Sequence, residues 1–290
     1  MEEEALSQDR FDHHRFDLSG RVAIVTGATQ GMGAACAERF AASGARLILT
    51  SRTASALDAV AADLNARFGG RGGGGAIAAA LAGDIGDKAH LGALVDLALA
   101  RFGTVTTLLC SPTIRPWIGP SIDTPDAVLE EQLTYIFRSR FWLSNMVIPH
   151  MVAAGGGSLI YIGSGSVFEA TTERSSATIA RAAEWQMMKN YAAEFGRSNV
   201  RANTIAPGMV DSSGSQALFA SAAGAERIAG LPMRRGGRVD EIASVAAFLA
   251  SDASSFTTGA VIPVDGGRLL HAVDGMLTQA YGEAGRGKGA

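Results

Sequence analysis

The chain has 290 residues, 47% of them hydrophobic and 18% charged, with a formal net charge of −3. A chain of this length buries roughly three quarters of its unfolded surface, so neither disulfides nor metals are needed for stability. The near-balanced charge leaves no basic footprint for nucleic acid. The longest uncharged run of interest, Val22 to Ala37, is broken by Gly27, Gly31 and Gly33, so no membrane span is expected. The acidic start Met1-Glu2-Glu3-Glu4 is unlike a signal peptide, and two cysteines, Cys36 and Cys110, fit a reducing compartment, which makes the cytoplasm the expected location.

Residues 1–17 form a polar extension, and the alternating pattern of a single domain runs over residues 18–267. Near-continuously apolar runs predict strands at Val22–Thr26, Arg46–Thr50, Ala76–Ala82, Thr106–Cys110, Ser158–Gly163, Val200–Ile205 and Ala260–Val264. Between them, helical periodicity predicts helices at Met32–Ser43, Ser55–Phe68, Lys88–Phe102, Asp126–Val152, Ala177–Phe195 and Val239–Ser251. Right-handed crossovers turn this alternation into an α/β fold, a doubly wound parallel sheet of about seven strands with helices on both faces. Gly69–Gly75 reads as a flexible surface linker. The extension over 268–290 begins apolar (Leu269, Leu270, Met276, Leu277) and ends in Gly-Arg-Gly-Lys-Gly, whose composition is that of a disordered end.

The first strand runs into Thr26-Gly27-Ala28-Thr29-Gln30-Gly31-Met32-Gly33 and then a helix. Glycines in this context let the backbone approach a pyrophosphate, which the helix N-terminus holds. The segment resembles the cofactor loop of the short-chain dehydrogenase/reductase family, and the resemblance extends over about residues 20–267. It implies a Rossmann fold and cofactor contacts from Thr26, Gly27, Thr29, Gln30, Gly31, Met32 and Gly33. Asp84-Ile85 matches the adenine-contacting position, and Ser111 lies in the turn beside the adenosine ribose. Asn203 and Pro207-Gly208-Met209-Val210, followed by Ser212, match the segment under the nicotinamide, while Gly259 to Gly267 matches the closing strand. At the end of the second strand stands Thr50-Ser51-Arg52, with no carboxylate to repel a 2′-phosphate and an Arg to pair with it, so NADP is expected over NAD.

The catalytic motif departs from the family. Ser158-Leu-Ile-Tyr-Ile-Gly-Ser164 matches the fifth strand with the catalytic Ser at Ser164, but the family's Tyr falls at Ala177, its Lys at Arg181 and its Asn at Ile136. Its Asn-Asn-Ala-Gly turn is replaced by Cys110-Ser111-Pro112-Thr113. Tyr191 lies about 21 Å along the helix from Ala177, too far to replace the acid, and Tyr161, an odd number of strand positions from Ser164, points to the other face. Tyr135, next to Ile136, would have to reach round its helix, and Glu169 and Arg174 sit in the loop between Ser164 and Ala177, where a solvated charge is the plainer reading. Arg181 stays protonated and presents a planar fork, which suits a nicotinamide ribose or a substrate carboxylate. The histidines and cysteines have no ligand spacing, so no metal is expected.

Losing a positioned acid typically costs about 10²- to 10⁴-fold, so ordinary ketone reduction is disfavoured. Three readings follow. One is an NADP-dependent oxidoreductase of atypical mechanism, with Ser164 polarising an activated carbonyl or enone and the proton coming from water, substrate or Glu169. Another is a non-redox isomerase, cyclase or dehydratase using Ser164 and Arg181. The last is a non-catalytic subunit paired with an active homologue. The resemblance also implies homodimers or homotetramers built on the helices Asp126–Val152 and Ala177–Phe195. Residues from Asp211 to Met233 are expected to form the substrate-side loop and helix, and their Ser212, Ser213, Gly214, Ser215, Ala217, Leu218 and Phe219, together with Arg115-Pro116-Trp117, point to a roomy site for a small apolar substrate.

Overall fold

Strand β1, Val22–Thr26, is buried at every position, as its run of Val, Ala and Ile requires of a strand covered on both faces. The computed structural model describes residues 13–70, 75–111, 117–170 and 172–270. The expectations for 1–12, for linker residues 71–74, for Pro112, Thr113, Arg115 and Pro116, and for the tail from His271, including Met276 and Leu277, lie outside them.

After β1 the chain follows the alternating order through α1 (Gly31–Ala42), β2 (Arg46–Thr50), α2 (Ala54–Phe68), β3 (Ala78–Ala80), α3 (Lys88–Phe102) and β4 (Thr107–Cys110). It continues with α4 (Asp126–Gln132), α5 (Ser139–Ala153), β5 (Gly157–Ile162), α6 (Ser175–Phe195) and β6 (Val200–Pro207). Among the described residues, seven parallel strands form one sheet in the order β3-β2-β1-β4-β5-β6, closed by a last strand, Val261–Val264. That strand lies at the sheet edge, which is where Pro263, without an N–H, is tolerated. This is the doubly wound, single-domain sheet that the alternation predicts. On one face Cys36 and Phe40 of α1 and Leu57 and Leu64 of α2 form the core with Ile242 and Ala246 of the helix Val239–Ala250. On the other, Leu91 and Leu94 of α3 pack with Leu143 and Val147 of α5 and Met187 and Met188 of α6.

Two differences from the sequence reading bear on the site. The continuous helix expected over Asp126–Val152 is interrupted by a π-helical segment, Leu133–Arg138, centred on the position of Ile136. Ser139 Oγ donates to the Tyr135 carbonyl at 3.1 Å, a local side-chain bond that competes with the regular ladder. The segment after β6 also carries more structure than a loop and one helix. Strand β7 (Val210–Asp211) pairs with β8 (Gly237–Arg238), and α7 (Gln216–Phe219) and α8 (Ala222–Ala229) lie between them. The helix after β8, Val239–Ala250, is α9, and Val261–Val264 is β9.

Candidate active site

The strand order reverses between β1 and β4, so the carboxyl ends of these two strands open the crevice in which a doubly wound sheet binds its ligand. Gly27 and Gly31 have positive φ, 71° and 58°, in the turn from β1 to α1. A Cβ on Gly33 would lie 2.2 Å from the Gly27 carbonyl oxygen, so this turn can be made only with glycine there. Gln30 caps α1 in an extended conformation with no side-chain bond to the helix, which leaves the first-turn N–H groups free for an anion. Thr26 Oγ1 accepts the Ser111 N–H at 3.2 Å and ties the two switch-point strands together. Ser213 Oγ donates to Gln30 Oε1 at 3.3 Å, and a Cβ on Gly31 would lie 3.6 Å from Ser212 Cβ, so the loop after β7 closes over the phosphate turn. Thr29 and Met32 are half-buried in that turn.

At the end of β2, Ser51 Oγ is buried with no partner among the described residues, beside exposed Arg52. Ile85 is buried, whereas Asp84 is exposed and accepts from the Gly86 N–H at 2.8 Å and from Tyr135 Oη at 2.7 Å. Tyr135, considered in sequence as a reserve acid, is therefore committed to the Asp84 end of the cleft. Its hydrogen bond to Asp84, more than its burial, raises the phenol above its usual range, while the nearby Arg52 charge opposes that rise.

The centre of the cleft holds Ser164, which caps a short turn by accepting the Ser166 N–H at 3.2 Å. That bond uses a lone pair and leaves the hydroxyl proton to donate elsewhere. Ala177 lies half-buried at the start of α6, and Ile136, where the sequence reading expects the family's Asn, is buried. Arg181 does not point only to the cleft: its Nη1 donates to the Ile162 carbonyl at 2.9 Å and to Glu184 Oε2 at 2.9 Å. Arg140 from α5 pairs with the same Glu184 oxygen and donates to the same carbonyl at 3.2 Å. Arg140 and Glu184 are entirely buried, and Arg181 is 16% exposed. Burial above all, with Arg140 adding to it and Glu184 opposing, pulls Arg181 down to about 10, still a cation at neutral pH.

The three side chains make a buried cluster with one excess positive charge beneath the β5–Ser164 turn. Sequence reasoning missed Arg140 and Glu184. The available signal was an acid on the inward stripe of α6, where Ala180, Met187, Met188 and Tyr191 are its buried companions. Two buried groups on neighbouring strands are silent as acids: burial pushes the Cys110 thiol up to about 12 and holds Tyr161, bonded to Ser144 at 2.7 Å, far above its usual range. Glu169, weighed as a loop proton source, is ion-paired with Arg268, which the sequence reading did not single out. Among the described residues no cluster of potential metal ligands occurs, and no helix is long and apolar enough to cross a membrane.

A family model described as enoyl-(acyl carrier protein) reductase matches residues 27–268. The chain is 31% identical over 258 residues to dehydrogenase/reductase SDR family member 4 of Bos taurus, covering 89% of this chain and 90% of that protein. It is 35% identical over 255 residues to a galactitol 2-dehydrogenase (L-tagatose-forming) of Cereibacter sphaeroides, covering 87% and 96%. Among solved structures it resembles a gluconate 5-dehydrogenase of Burkholderia cenocepacia in complex with NADP and tartrate, with TM-score 0.81, 28% identity and coverage of 88% and 98%. A 7α-hydroxysteroid dehydrogenase complexed with NADH and 7-oxo glycochenodeoxycholic acid gives TM-score 0.81, 30% identity and coverage of 89% and 97%. The chain belongs to the short-chain dehydrogenase/reductase family of oxidoreductases. Its glycine cradle, open α1 N-terminus and unpartnered Ser51 hydroxyl fit the nicotinamide dinucleotide that such a cleft takes.

Proposed function

We propose that the chain is an NADP(H)-dependent oxidoreductase of atypical mechanism that reduces activated carbonyl compounds, conjugated enones above all. The observation that carries this reading is the cradle at Gly27, Gly31 and Gly33, kept under steric constraint in a chain that lacks the family's Tyr, Lys and Asn. Thr26, Gly27, Thr29, Gln30, Gly31, Met32 and Gly33 hold the pyrophosphate. Ser51 and Arg52 hold the 2′-phosphate, Asp84 and Ile85 the adenine, Ser111 the ribose, and Pro207, Gly208, Val210 and Ser212 the nicotinamide side. Arg181, 16% exposed, would contribute charge from the buried cluster to the ribose side of the cofactor.

A nicotinamide dinucleotide held in this cleft would supply a hydride to the substrate carbon. Ser164 donates its hydroxyl proton as a hydrogen bond to the carbonyl oxygen, where charge develops. In an enone the electron pair moves into an enolate, so that a single donor is enough, and water delivers the proton to carbon. Glu169 is not assigned this proton, because it is engaged by Arg268. The apolar surroundings of the 211–233 segment support a small substrate with an apolar body. Exposed Phe141 and Val152 on α5 and Ile179 on α6 support homodimers or homotetramers built on these helices.

The test is loss of NADPH absorbance on addition of conjugated enones and simple ketones. Turnover of enones is expected, falling about 10²- to 10³-fold in Ser164→Ala, and a lack of turnover across both classes would overturn the reading. A non-catalytic subunit paired with an active homologue is the second reading. It is favoured by the side chain at Ala177, which has no proton to give, and by the inward bonds of Arg181.

A further inference from the structure

Arg268 stands where three parts of the cleft meet. Asp265 folds the chain after β9 into a turn by accepting the Gly267 N–H at 2.9 Å and the Leu269 N–H at 3.0 Å. That turn packs tightly on the nicotinamide-side segment, since a Cβ on Gly208 would lie 2.5 Å from Asp265 Cα. From it the Arg268 side chain crosses to the catalytic loop. Its Nη1 lies 3.0 Å from where a Cβ on Gly165, the neighbour of Ser164, would stand, and Leu269 lies 3.6 Å from the same point. The other end of the fork, Nη2, pairs with Glu169, and the two side chains stay 36% and 24% exposed.

We propose that Arg268 is the substrate-recognition cation of this cleft and selects a molecule carrying a carboxylate on an apolar body. The inference rests on the oxidoreductase reading and names its substrate class. A guanidinium matches a carboxylate with two parallel hydrogen bonds, and Nη1 has no protein partner among the described residues. The adjoining segments carry apolar side chains: Leu269 beside Gly165, exposed Phe168 next to Glu169 in sequence, exposed Met233, whose Cβ lies 3.7 Å from where a Cβ on Gly266 would stand, and Pro232, 2.8 Å from the same point on Gly267. One cation on an apolar rim suits one acidic group at the end of a hydrocarbon chain better than a polyol, which needs many polar partners. Glu169 holds the fork in place and also competes with the incoming carboxylate for it.

This dual role separates a recognition residue from a structural ion pair. Truncating either partner of a structural pair weakens the same contact, so both changes shift binding in the same direction. In a recognition site, Arg268→Leu removes the cation, whereas Glu169→Gln removes only its competitor. The probes are 5-oxodecanoate and its methyl ester, titrated calorimetrically into the protein with and without saturating NADPH. The acid is expected to bind at least about tenfold more tightly than the ester. Arg268→Leu is expected to abolish that preference, Arg268→Lys to keep part of it, and Glu169→Gln to increase it.

Equal binding of acid and ester, binding of neither, a preference that survives Arg268→Leu, or a loss in both Arg268→Leu and Glu169→Gln would each overturn the proposal. If NADPH itself fails to bind, the oxidoreductase reading fails. The acid-to-ester ratio of the nucleotide-free protein still decides the role of Arg268.

Discussion

Glu184 Oε2 carries two guanidinium groups, Arg140 across 44 residues of sequence and Arg181 from the preceding turn of α6. With Glu184 and Arg140 buried, removing the carboxylate strands two cations in a medium that cannot solvate them. Glu184→Ala is therefore expected to lower unfolding free energy by about 3–5 kcal/mol, read as a reduced urea midpoint at unchanged slope. Pairing Glu184→Met with Arg140→Met should cost less than Glu184→Met alone, because an apolar pair leaves one fewer unmatched charge. A double variant no better than the single one would show that Arg140 is not held by Glu184.

Spacing along the chain is what assigns the motif positions to Ser164, Ala177, Arg181 and Ile136, and that assignment remains an expectation from sequence. The ion cluster was not legible there, because its partners sit on different helices and meet only when α5 and α6 close on β5. The same applies to Arg268, which reaches Glu169 across 99 residues.

At the scale of elements, strand identities followed from apolar runs with no exposed face, and most bounds agree within a residue or two. Strand β3 is shorter than Ala76–Ala82 because only Ala78–Ala80 pairs with Leu47–Leu49 of β2. The π-helical segment was invisible to periodicity, since Leu133, Ile136 and Phe137 keep an apolar stripe whether or not one residue is looped out. Such segments are common at functional sites, and this one carries Tyr135 to Asp84 and buries Ile136.

Helix α9 offers a test by pH. Glu241 accepts the Arg238 N–H at 2.7 Å and pairs with Arg235, bonds that hold its carboxyl down to about 2, the Arg235 hydrogen bond first. A depressed carboxyl stabilises the fold above its ordinary value of 4.5 and loses that contribution as pH falls toward about 2. Glu241→Gln should thus lower Tm at neutral pH, and the gap to wild type should close across that acid window. A gap independent of pH would mean that the cap acts through shape and not charge.

For the whole molecule, the alternation of runs and helices was enough for a parallel doubly wound sheet, because right-handed crossovers leave few other arrangements. One helix was expected between Asp211 and Met233, whereas the two-residue strands β7 and β8 and the four-residue helix α7 are below the length at which a period can be read. The switch point between β1 and β4 explains why residues as far apart as Gly31 and Ser212 come together in one cleft, and why the chemistry depends on what that cleft binds. The most direct measurement is a titration of the purified protein with NADPH and NADH, followed by ligand fluorescence or heat, for wild type and Arg52→Ala. Binding of NADPH about tenfold or more tightly than NADH, with the difference removed in Arg52→Ala, is the predicted result. Binding of neither nucleotide, or of NADH in preference, would contradict it.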